Sequence, residues 1–235
     1  MAFSIVIAYK ADNGLRTRQM RWTVKRYRKM FPSAEIIISE DKKSQEDGWS
    51  GFCKSKYINR GVRKAKHEIV FIADIDVILP KESIVKSARK LNKYDCVIPY
   101  NVIYHTNSKD AMRILGKTPW IKMPTIVLAK QKKVSLSNGR AQGLCLVKKS
   151  TFEKMGGYDE RFSGWGSEDS AYLKAMETMT GKKVYIQKGD AYHLKHPIVK
   201  DRHKLRDQNV GELLDAYRKA EGNKKMMRKV IQWKH

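Results

Sequence analysis

Over the first hundred residues, short runs rich in isoleucine and valine alternate with longer runs that are polar on one face, and this rhythm constrains the fold more than any other feature. Phe3–Tyr9 predicts a strand. Leu15 to Met30 carries Leu15, Met20, Val24 and Tyr27 at helical spacing, and Pro32 stops that helix. Glu35–Ser39 is a second strand, Ser50 to Lys66 a helix and Glu68–Ala73 a third strand. Pro80 precedes a helix over Lys81–Leu91, and Asp95–Pro99 is a fourth strand. Strands separated by helices pair in parallel, so the expected fold class is α/β, with a mostly parallel central sheet flanked by helices. After Tyr100 the rhythm breaks. Residues 101 to 140 predict loops with one short helix, Gln142–Val147 a strand, Ser150–Met155 a short helix, Ser170 to Met179 a helix and Lys183–Gln187 a last strand. What remains is polar and basic, ending in a helical tail to His235. The expected organisation is a single domain over residues 1–200, with a basic helical tail over 201–235 packed on it or extending from it.

At 235 residues and 41% hydrophobic content the chain can bury a sizeable core. Its charge is more telling: 49 Lys and Arg face 24 Asp and Glu, a formal +25. A field of that sign recruits polyanions. Cys53, Cys96 and Cys145 are scattered with no C-x-x-C spacing, which argues against a disulfide framework and a structural zinc site. The N-terminal apolar stretch is too short for a signal peptide, and no apolar run approaches the ~18 residues of a membrane span. These features predict a soluble, cytoplasmic protein, with peripheral contact to a membrane surface left open by the charge. No oligomeric state is encoded visibly.

The stretch FIADIDVILP (71–80) places Asp74 and Asp76 one residue apart at the end of a buried strand. Open α/β sheets bind ligands beyond the carboxyl ends of their strands. Residues i and i+2 of extended backbone point the same way, so both carboxylates can address one site. Two acids that close raise each other's pKa unless a cation accompanies them. A hard divalent cation bridging to phosphate suits them. Taken alone, a D-x-D fits a strand end with solvated acids equally well.

Further stretches accompany it: GFCKSKYINRG (51–61), GWGSED (164–169) and HLKH (193–196). In that order and spacing the chain resembles the GT-A (Rossmann-like) glycosyltransferases, in particular the β-1,4-galactosyltransferase family and related family 2-type enzymes and polypeptide N-acetylgalactosaminyltransferases. The resemblance implies an inverting, metal-dependent enzyme with Mn²⁺ or Mg²⁺ and a UDP-sugar donor. IAYK (7–10) resembles the family's I-P-F-R, with Lys10 in place of the arginine that contacts the nucleotide. FCKSKYINRG (52–61) resembles F-N-R-A-K-x-x-N-x-G, which implies Phe52 beside the uracil, Lys54 on the nucleotide, and Asn59 and Gly61 completing the pattern, Asn59 at the substrate. DID matches D-V-D, whose last acid is the metal ligand, implying Asp76 on the metal and Asp74 at the donor. GWGSED resembles W-G-G-E-D and implies Asp169 as general base, Glu168 orienting the acceptor and Trp165 against a sugar ring or base, with Ser167 in place of a glycine. HLKH stands where the family completes its metal shell, implying His196 first and His193 second. Gly143 falls near the strand that lines the sugar pocket.

The donor sugar is open between a hexose and an N-acetylhexosamine. The spread of basic residues favours a polyanionic acceptor, with hydroxylated bases in DNA set ahead of a lipid-linked or phosphorylated glycan at an anionic membrane. Two rivals stand beside this reading. A basic nucleic-acid-binding module explains the charge but not the ordered motifs. A Mg²⁺-dependent nucleotidyltransferase or nuclease pairs carboxylates too, but wants a third acid near Asp76.

Overall fold

The structure is a computed structural model that describes residues 2–12, 14–41, 52–118, 132–135, 143–164, 166–196 and 210–232. β1 (Ser4–Lys10), β2 (Glu35–Asp41), β3 (Ile69–Ala73), β5 (Cys96–Ile98), β8 (Cys145–Lys148) and β9 (Tyr185–Ile186) form one sheet in the order β2-β1-β3-β8-β5-β9. β1 pairs in parallel with both β2 and β3, and β5 with β9; β8 runs antiparallel to β3 and β5. The sheet is therefore mostly parallel, as the alternation predicted, with β8 as the reversed strand.

The inner strands are apolar on both faces because helices cover both. Ile5, Val6, Ile7, Val70, Phe71, Ile72, Leu146 and Val147 are all 2% exposed or less. α1 (Leu15–Met30) occupies the span its periodicity predicts. No acid lies in its first turn, so Asp12 supplies the cap instead. The Asp12 carboxylate accepts from the backbone N–H of Gly14 at 2.9 Å and from those of Arg16 and Thr17 at 3.0 Å. α2 (Lys54–Lys64) crosses β1 closely at Gly61, where a Cβ would stand 2.4 Å from Val6 Cγ1. Gly61 is thus required by helix–sheet packing. The expected start of this helix at Ser50 lies outside the described residues.

A second sheet was not foreseen. β4 (Val77–Ile78), β6 (Val102–His105), β7 (Lys132–Ser135) and β10 (Asp190–His193) align as β4-β10-β6-β7. β6 and β7 fall in the region expected to be loop, and β10 in the polar remainder. Its apolar side joins α4 (Ser108–Leu115) and Trp22 of α1 in a small separate cluster with Ile78, Tyr192 and Leu194. α3 (Lys81–Lys90) follows β4, and α5 (Lys149–Lys154) follows β8.

α6 (Glu168–Thr180) carries α7 (Val210–Lys219) and α8 (Lys224–Gln232) against it. Val210, Leu214, Tyr217, Ala220, Met227 and Val230 belong to the main core. Polar bonds reinforce the joint. The Tyr217 hydroxyl donates to Asp159 Oδ2 at 2.8 Å, and Arg161 Nη2 donates both to that oxygen at 2.6 Å and to the Val230 carbonyl at 2.8 Å. The described part of the C-terminal region is thus built into the body. Among the described residues no helix is long and apolar enough to cross a membrane.

Candidate active site

β3 ends at Ala73, and the chain turns through Asp74, Ile75 and Asp76 before β4 begins. β4 pairs antiparallel with β10, with His193 opposite Val77, and the Leu194 N–H donates to the Asp76 carbonyl at 2.7 Å. This short ladder brings together two motifs separated by more than a hundred residues. His196 Nε2 lies 3.2 Å and His193 Nε2 3.8 Å from Asp76 Oδ2. The three ligand atoms all lie within 4.8 Å of one another. One carboxylate and two imidazoles make a donor set suited to Mn²⁺ more than to Ca²⁺. Asp76 and the two histidines, remote in sequence, thus come together, and both histidines are within reach of Asp76.

The two aspartates do not share one cation. Asp74 Oδ1 lies 3.0 Å from Lys54 Nζ, whereas Asp76 accepts from Arg16 Nη1. Asp76 is 5% exposed. Burial pushes its carboxyl up, but the Arg16 guanidinium and the two imidazoles outweigh this and hold it well below the usual carboxylate range. Burial and the neighbouring charges of Arg16 and His196 pull His193 below its ordinary value, against the opposing pull of Asp76. Neutral imidazole is the form that ligates a metal. Arg16 was visible in the sequence only as a member of a basic cluster.

Across the cleft, α6 begins at Glu168 after a turn in which Gly164 (φ 83°), Gly166 (φ 92°) and Ser167 (φ 79°) are all left-handed. Glycine adopts that conformation freely; Ser167 is the non-glycine residue there. The turn sets Glu168 and Asp169 in the first turn of α6, where the helix dipole favours negative charge. Burial pushes Asp169 up and the Asp74 charge adds to this, against the Lys54 charge. Burial and the Asp169 charge push Glu168 up to about 7. Oδ1 of Asp169 is buried and takes no well-formed hydrogen bond among the described residues.

Lys54 links the two walls: its Nζ also stands 3.9 Å from Asp169 Oδ2. Burial lowers its pKa, but Asp169, Asp74 and Glu168 together raise it well above the usual lysine value, so it is cationic. Gly143 makes room for this pair. At φ +74°, a Cβ there would fall 2.4 Å from Asp74 Oδ2 and 2.6 Å from Lys54 Nζ. Phe52 is 8% exposed and stacks on Tyr57 with centroids 5.6 Å apart.

These groups line one cleft of about 600 Å³, with Asp76, His193 and His196 together on one part of its lining and Glu168 and Asp169 on another, and with Arg16, Phe52, Lys54 and Asp74 also lining it. Leu214 and Arg218 of α7 complete the rim, and His105 of β6 adds a third histidine. None of these last three was anticipated, because their elements carry no motif. Two expected residues stand elsewhere. Lys10 ends β1 but does not line the cleft. Asn59, expected at the substrate, is 4% exposed and clamps the opposite wall from behind. It accepts from the Tyr158 N–H at 2.8 Å and donates to the Tyr158 carbonyl at 2.9 Å and to Glu160 Oε1 at 2.8 Å. Trp165 lies outside the described residues.

Residues 124–197 match the family model described as the N-terminal domain of galactosyltransferase. That span includes Glu168, Asp169, His193 and His196 but not Asp74 or Asp76. No curated protein matches the chain. Among solved structures, the catalytic domain of Drosophila beta1,4galactosyltransferase 7 in complex with xylobiose is similar over 91% of this chain and 79% of that one, at 14% identity and a TM-score of 0.52. GalNAc-T7 with UDP, GalNAc and Mn²⁺ is similar over 99% of this chain and 55% of that one, at 14% identity and a TM-score of 0.57. Its α/β layering and these two likenesses give the chain the fold of the GT-A glycosyltransferases.

Proposed function

We propose that the protein is a metal-dependent, inverting glycosyltransferase that moves a hexose or N-acetylhexosamine from a UDP-sugar to a hydroxyl acceptor. One observation carries the reading: Asp76, His193 and His196 converge on one part of a cleft whose facing wall presents Asp169. UDP, GalNAc and Mn²⁺ in the GalNAc-T7 structure support the donor and the metal.

The donor's diphosphate belongs beside Asp76 and Arg16, with its nucleotide toward Phe52. A divalent cation held by Asp76, His193 and His196 would stabilise negative charge developing on the leaving diphosphate. Asp169 takes the proton of the acceptor hydroxyl as its oxygen bonds to the anomeric carbon. The bond from that carbon to the UDP oxygen breaks on the opposite face, which inverts the centre. The Lys54 charge favours the ionised form of Asp169 that this role needs, opposing the upward push of burial and of Asp74. Glu168, poised near 7, holds an acceptor hydroxyl as donor or acceptor of a hydrogen bond.

For the acceptor, the +25 charge supports a polyanion and hydroxylated bases in DNA in particular. A glycan acceptor is the second reading, favoured by the xylobiose bound to the Drosophila enzyme. The test is UDP release from a panel of UDP-sugars with Mn²⁺, with and without hydroxymethylated duplex DNA or xylobiose. Release with no UDP-sugar under any of these conditions would sink the proposal. Turnover of nucleoside triphosphates instead would assign the site to nucleotidyl transfer.

A further inference from the structure

A second concavity, of about 550 Å³, lies along the outer side of α1 where it meets the end of α4. Arg18, Arg21 and Lys25 line one side, at spacings of three and four residues that put them on one helical face. All three are exposed. By the helical rise they form a row about 10 Å long. Lys117 faces them from the other side, and among the described residues no carboxylate lines the groove. None of the four side chains forms an ion pair or hydrogen bond with another described residue. The floor is rigid. Trp22 is 6% exposed, its Nε1–H donates to the Lys117 carbonyl at 3.0 Å, and it packs in the apolar cluster with Ile114 and Leu115. The groove opens beside the catalytic cleft, because Gly14 and Thr17 line the one and Arg16 the other.

We infer that this groove docks the phosphodiester backbone of duplex DNA, holding it alongside the cleft without reading its sequence. Four cations and no acid complement a run of phosphates. Single-stranded nucleic acid is the poorer fit, because its binders stack bases on exposed aromatics. The exposed large apolar side chains among the described residues are Ile38, Met112 and Met226, none of them aromatic. A membrane surface fits poorly as well. Interfacial binding needs a sizeable apolar face beside the charge, and the groove is concave. The inference deepens the reading of DNA as acceptor and rests on it, but binding is measured without turnover.

The test follows fluorescence anisotropy of a labelled 20-base-pair duplex across a salt series. It compares the wild-type protein with the triple variant R18A/R21A/K25A and with K224A/R228A, which removes two cations of α8 that line neither the groove nor the cleft. Each lost phosphate contact lowers the slope of log K against log salt by about 0.9. The triple variant is expected to lose close to three units of slope and at least tenfold in affinity at low salt, while K224A/R228A keeps the wild-type slope. UDP-sugar hydrolysis with Mn²⁺ and no acceptor should be equal in all three proteins, which also shows that they fold. The inference is overturned if the triple variant binds duplex like wild type, if K224A/R228A loses as much, or if the triple substitution abolishes binding to phosphatidylserine vesicles but not to duplex. Groove-dependent DNA binding in a protein that turns over no UDP-sugar would remove the enzymatic reading and leave the docking surface standing.

Discussion

On the wall of the cleft that bears Asp74 and Asp76, the backbone is held by a parallel sheet whose strands are buried on both faces, and the acids simply follow the end of β3. On the facing wall, Glu168 and Asp169 are held by a left-handed turn and by side chains from other parts of the chain. The first wall is rigid because its hydrogen bonds are those of the sheet. The second is rigid only as long as its supports hold: Asn59 behind Tyr158, and Tyr217 and Arg161 on Asp159. Under the proposed function, binding the nucleotide and deprotonating the acceptor fall to regions with separate mechanical support, so they should fail separately.

The sharpest way to break that separation is Asp169→Asn. Transfer should fall by about 10²–10⁴-fold, the range of a lost general base. UDP and Mn²⁺ affinity, measured by calorimetry, should stay within twofold of wild type. A parallel loss of UDP affinity would merge the two walls into one unit. Asp76→Ala probes the other side. Mn²⁺-dependent UDP affinity should drop by more than about 100-fold, beyond what losing an outer hydrogen-bond partner costs. Unchanged UDP binding with and without Mn²⁺ would remove the metal site from this wall.

Asn59→Ala tests the link between them. It strands the buried N–H and carbonyl of Tyr158, at about 1–3 kcal/mol for each unsatisfied group. A lower thermal midpoint with reduced transfer but intact UDP affinity is expected. Glu168→Gln sharpens the electrostatic contrast. The folded state holds the Glu168 proton up to about 7, above its ordinary value of 4.5, so it binds more protons than the unfolded chain between those values. Stability from this group is full below about 4.5 and is lost as pH rises through about 7. Unfolding by urea at several pH values should show that decline in wild type and a flatter profile in the variant. The smallest effect belongs to Ser167→Gly. It relieves a left-handed residue costing about 1–2 kcal/mol, less the ~0.4–1 kcal/mol that glycine adds to unfolded-state entropy. A gain of roughly 0.5 kcal/mol should appear in the same urea experiment.

What the sequence made legible follows the same division. α1 was readable to its ends because sixteen residues repeat an apolar stripe and a proline closes them. The inner strands β1, β3 and β8 of the large sheet were readable because burial on both faces demands unbroken apolar runs. β4, β6, β7 and β10 have two to four residues each, too few to show a period, and their hydrogen bonds come from segments far away in the chain. That small sheet is nevertheless what sets His193 and His196 beside Asp76. Motif resemblance therefore reached the histidines where periodicity could not. It also misplaced Asn59, since a spacing pattern preserves a residue without saying whether it touches substrate or scaffold. Arg16 and Arg218 were lost among many other basic residues, because charge alone does not reveal which carboxylate or cleft a side chain meets.

Leu214 and Arg218 supply part of the cleft's rim, yet they follow every other element of the cleft in the chain. During synthesis the sheet, the aspartates and the histidines can assemble while α7 is still within the ribosome. Until that helix emerges and Tyr217 reaches Asp159, the pocket lacks a wall. Under the proposed function, a nascent chain of this protein is thus expected to hold nucleotide before it can hold an acceptor.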